Sequence, residues 1–184
     1  MGVTLIIVVI LIAIALFAVT TFNRIIGLEN RVANAWSQID VQLKKRNDLI
    51  PNLVETVKGY ATHEKGVFEE VARSRQAMMN AQGIAESAQA ANMLEGALGR
   101  LFAIAENYPQ LRASENFQVL QEELSSVENK IAYARQFYND AVLQYNNAIE
   151  TIPGVLFAGP MNKKSQVHLE IPETERTAPK VSFS

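Results

Sequence analysis

The sequence predicts an all-α protein: an N-terminal transmembrane helix that continues into an antiparallel bundle of four helices, two long and two short. Three observations carry this. An apolar run opens the chain, apolar residues then recur in steps of three and four, and no β-type alternation of any length appears before the last thirty or so residues. The expected organisation is an anchor over 1–22, a helical bundle over 23–151, and an apolar turn with an extended or disordered tail over 152–184.

From Val3 through Ile10 and Phe17 to Val19, only Thr4 interrupts an apolar run, which Thr20, Thr21 and Phe22 extend. Some 20 residues at ~1.5 Å each give about 30 Å, the thickness of one bilayer core. A cleaved signal peptide would show a basic start, a shorter apolar core and a small-residue cleavage site. Here Met1 and Gly2 carry no side-chain charge and helical patterning continues past Asn23, so an uncleaved span is expected. Arg24 and Arg31 follow the span closely, which places the N-terminus outside and the domain in the cytoplasm.

The first soluble helix is predicted over 24–61, with Ile39, Leu43, Ile50, Leu53 and Val57 on one face. Pro51 falls inside it; because the apolar phase survives across the proline, a kink is expected rather than a stop. Thr62 is the expected N-cap of a second helix that carries Phe68, Val71 and Met78 and fades at Gly83. A third helix is predicted over 87–107 and closed by Pro109. The fourth, over 114–151, has a coiled-coil-like heptad seam of Phe117, Leu120, Leu124, Val127, Ile131, Ala134, Tyr138, Ala141, Tyr145 and Ala148, ended by Pro153 and Gly154. In the tail, Val167, Leu169 and Ile171 alternate with polar residues, which fits either a disordered terminus or an extended segment added to a neighbour's surface.

The long helices outrun the short ones, so the bundle should be only two helices thick nearest the span. A two-helix pair needs a narrow seam, yet Ile26, Trp36, Phe137, Val142, Leu143 and Ile149 add apolar surface there. These six are the expected interface of a homo-oligomer; another membrane protein or the lipid surface are the alternatives.

A net charge of −2 argues against a nucleic-acid partner. The absence of cysteine excludes disulfides, zinc–thiolate sites and cysteine nucleophiles. His63-Glu64 begins like a zinc-protease motif, but Val67 stands where the second histidine is needed, and no G-x-S-x-G or P-loop occurs. No enzyme activity, metal or cofactor is therefore expected. Lys44, Lys45 and Arg46, with Asp40 and Asp48 a turn away, read as a solvated face with local ion pairs or as a docking patch for an acidic partner.

The stretch 35–61, AWSQIDVQLKKRNDLIPNLVETVKGYA, together with Tyr108-Pro109-Gln110-Leu111, Ala134-Arg135-Gln136-Phe137-Tyr138-Asn139 and Ala178-Pro179-Lys180-Val181-Ser182-Phe183, resembles the LemA family of bacterial membrane-anchored proteins. The resemblance implies a single span in the bacterial cytoplasmic membrane, an extracytoplasmic N-terminus, a cytoplasmic helical bundle and no enzymatic activity. Relatives are linked to envelope stress, membrane proteases and the biogenesis of magnetic organelles. The segment 161–166 departs from the family's more apolar and aromatic continuation.

Overall fold

The computed structural model describes residues 2–169. Six helices follow in order: α1 (Gly2–Lys58), α2 (Lys65–Asn80), α3 (Gly83–Ala105), α4 (Pro109–Arg112), α5 (Glu115–Glu150) and α6 (Val155–Ala158). No strand occurs among the described residues. Span and first soluble helix are one element, because α1 runs through Pro51 without a break. The alternating segment up to Leu169 forms neither helix nor strand, and Ile171, Val181 and Phe183 lie outside the described residues.

Two local expectations change. Thr62 is not an N-cap: α2 starts after Glu64, with no side-chain cap bond. Gly83 opens α3 instead of marking a fade, and its φ of +79° is one that a side chain would strain. Glu86 then closes this start by accepting the Gln82 N–H at 2.9 Å. Pro109 stands first in the one-turn α4, where its missing N–H has no helical partner to lose.

The chain forms two compact units, and α1 and α5 run through both. The first comprises 2–37 and 134–168. Its apolar helix start has a mean hydropathy of 3.2 over an 18-residue window, none of it buried. Beyond it, contacts fix an antiparallel register. Trp36 meets Tyr138 edge-on at 6.1 Å, Arg31 donates to Gln144 Oε1 at 3.1 Å, and Gly154 lies against Ile25. Ile25, Val32 and Ala35 of α1 are buried, as are Tyr138, Ala141, Val142, Tyr145 and Ile149 of α5.

The second unit comprises 38–133 with Leu169. Ile50, Leu53 and Val57 of α1 join Phe68 and Val71 of α2, Leu94, Leu98 and Leu101 of α3, Leu111 of α4 and Phe117 and Leu124 of α5 in one hydrophobic cluster. Phe102 packs edge-on against Phe117 at 6.2 Å. Removing such surface from water at ~25 cal/mol per Å² is the main force holding the unit together.

Candidate functional site

In the first unit, α5 buries more than its seam. Tyr138, Ala141 and Tyr145 form the expected row, and Val142 and Ile149 form a second row four residues on. Val142 is wholly buried and Ile149 4% exposed, so neither is available to a second copy as expected for an oligomer interface. The chain's own segment 163–168 is bonded to this helix pair. Asn146 donates through Nδ2 to the Gln166 carbonyl at 2.9 Å and accepts the Gln166 N–H at 2.8 Å. Tyr138 donates to the Val167 carbonyl at 3.2 Å, Ser165 to Glu150, and Lys163 to Glu29 at 2.6 Å. Every one of these partners comes from α1 or α5 of the same unit, so the segment is added to its own helix pair.

What remains exposed is narrower than the six residues expected. Leu143 is 51% and Phe137 39% exposed; Ile26 and Trp36 are half-buried. At 100° per residue, Phe137 and Leu143 point about 120° apart on α5, so they do not form one patch. The Arg31 guanidinium lies 5.5 Å from the Phe137 ring centre and partly covers that flank.

In the second unit, Lys44 and Lys45 are exposed but Arg46 is not. Its side chain is 1% exposed; Nη1 pairs with Glu128 Oε2 at 2.8 Å and Nη2 donates to the Ala91 carbonyl at 3.0 Å. The solvated-face reading of the triplet is therefore corrected at Arg46, which is an interior cation tying α1 to α3 and α5. The signal was present in the phase: between Leu43 and Ile50 the stripe skips one slot, and position 46 fills it. Pro51 is exposed.

Among the described residues, no group of three or more His, Cys, Asp or Glu side chains could hold a metal ion. The histidines His63 and His168 are both exposed. In the first unit two buried phenols are shifted from their ordinary range. Burial pushes the Tyr138 phenol above its ordinary range. Burial does the same to Tyr145, where Glu29 adds to the rise and Lys163 opposes it.

These features define an all-helical protein with a long apolar N-terminal helix suited to membrane anchoring. The LemA family model matches residues 35–183, and the chain belongs to the LemA family. It is similar to Magnetosome protein MamQ of Magnetospirillum gryphiswaldense, with 27% identity over 143 residues, 64% of this chain and 53% of the relative. It is also similar to Magnetosome protein MamQ 2 of Paramagnetospirillum magneticum, with 25% identity over 158 residues, 72% and 58%. Protein LemA of Metamycoplasma hominis is 25% identical over 133 residues, 70% and 59%. The chain spans somewhat more than half the length of these curated relatives.

Proposed function

We propose that this chain is a non-enzymatic scaffold, anchored by one span in a bacterial cytoplasmic membrane with its N-terminus outside, and self-associating through its helical domain. The observation that carries the reading is the continuity of α1. Side chains from Val3 to Phe17 are exposed, and the same helix is then buried from Ile25 onward along one face. An apolar helix of this length, bare in water, is stabilised by the hydrocarbon core of a bilayer. Self-association is supported by Leu143, a large apolar side chain half exposed on a helix whose neighbouring rows are buried. Relatives bearing the name magnetosome protein favour a role in membrane organisation.

The test is the absolute mass of the full-length protein in detergent by light scattering. A discrete multiple of the chain mass that Leu143→Asp reduces, with helicity and melting cooperativity retained, is the expected result. A monomer in both cases would remove self-association and favour a second reading, an adaptor for a membrane protease or sensor. Exposed Lys44 and Lys45 support that alternative as a patch for an acidic partner. Arg46 is not part of it, because reversing a buried paired cation would unsettle the bundle instead.

A further inference from the structure

Resting on the anchor reading above, we propose that α6 and the turn before it are a second, shallow membrane contact, an apolar wedge seated in bilayer lipid beside the span. Three observations place it there. First, Thr21 is only 8% exposed although it lies within the apolar run, whose side chains are otherwise largely bare. Second, Thr21, Arg24 and Ile25 line one groove with Ile152, Pro153 and Gly154, and a Cβ added to Gly154 would stand 3.6 Å from Ile25 Cδ1. The turn is therefore level with the last residues of the span. Third, it carries large apolar side chains left exposed among the described residues: Ile152 is 82%, Leu156 69% and Val155 45% exposed, while Ala158 on the other side of α6 is buried.

The occupant follows from the level. An apolar run of about 20 residues fills the hydrocarbon core, and the headgroup layer beyond it is roughly 5–8 Å deep. Ile25 lies three residues past Phe22, about 4.5 Å along the helix. Side chains at this height meet lipid before they can meet a soluble partner. Arg24 is exposed beside them and suits an anionic headgroup. One span leaves its helix free to tilt and rotate; a lateral wedge fixes which face of the first unit turns toward the bilayer.

The chain contains no cysteine, so single labels can be placed at will. Full-length Leu156→Cys, Ile12→Cys and Ala33→Cys would each carry an environment-sensitive fluorophore in vesicles of phosphatidylethanolamine and phosphatidylglycerol. Quenching is then read with lipids bearing a nitroxide near the headgroup or deep in the acyl chain. The expected result is strong quenching of position 156 by the shallow nitroxide and weaker quenching by the deep one. Position 12 should be quenched by the deep one, and position 33 by neither. If position 12 is quenched while 156 behaves like 33, the wedge is overturned and the anchor stands. If position 12 is not quenched, the anchor falls and the wedge with it.

Discussion

Tyr138 and Tyr145 sit two turns apart on α5 and are equally buried, yet only the Tyr138 hydroxyl is bonded. The Tyr145 hydroxyl is buried without a hydrogen-bond partner among the described residues. Removing a buried hydroxyl that bonds nothing deletes a desolvation cost, whereas removing a bonded one strands its acceptor. Tyr145→Phe is therefore expected to leave stability unchanged or raise it by up to ~1 kcal/mol, and Tyr138→Phe to lower it by about 1 kcal/mol. Thermal melts of the two variants check this. Both phenols are raised above their ordinary value of 10.0, so the folded state holds these protons more tightly than the unfolded chain. Their contribution is complete below that value and is lost as pH rises through the folded pKa. Alkaline unfolding followed by circular dichroism should accordingly begin above pH 10, and Tyr145→Phe should move its midpoint upward.

At the scale of elements, α5 explains what could and could not be foreseen. Its heptad seam was legible because ten residues in steps of three and four admit one phase, and all ten are buried or half-buried. The second row was legible only as surplus. Val142 and Ile149 advertise apolar surface, but their spacing does not say what buries it. The Asn146–Gln166 pair and the Tyr138 bond to Val167 leave no periodic trace. Arg46 was misread for the converse reason, because a charge in an apolar slot reads as surface unless the phase is followed through it. The turn after α5 shows a third kind of signal. Gly154 has an ordinary helical φ of −62°, so its need for glycine is close approach alone. A Cβ there would stand 1.7 Å from the Ala148 carbonyl oxygen. Since backbone must shift to admit it, Gly154→Ala should cost ~2–3 kcal/mol, as overpacking does. A fall in melting temperature, larger than for an exposed control such as Gly99→Ala, is the measurement.

For the whole molecule, the question the sequence raises most sharply is orientation, since charge alone argues it. Directly after the apolar run come Arg24 and Arg31. The structure adds a third cation to this flank, because Lys163 is brought back from the far end of the chain to Glu29 in the first unit. Lys163 is neutralised by that pairing and Arg31 is engaged with Gln144 and Phe137, but Arg24 and Lys164 are exposed. Lys and Arg near a span hold their side in the cytoplasm, where anionic lipid attracts them. Ala33 is exposed in the first unit, and Ala33→Cys would be a unique thiol. In intact cells a membrane-impermeant maleimide should leave it unlabelled, and permeabilisation should make it fully reactive. Labelling in intact cells would reverse the orientation and put the helical units outside. Scaffolding partners would then have to be sought on that side of the membrane.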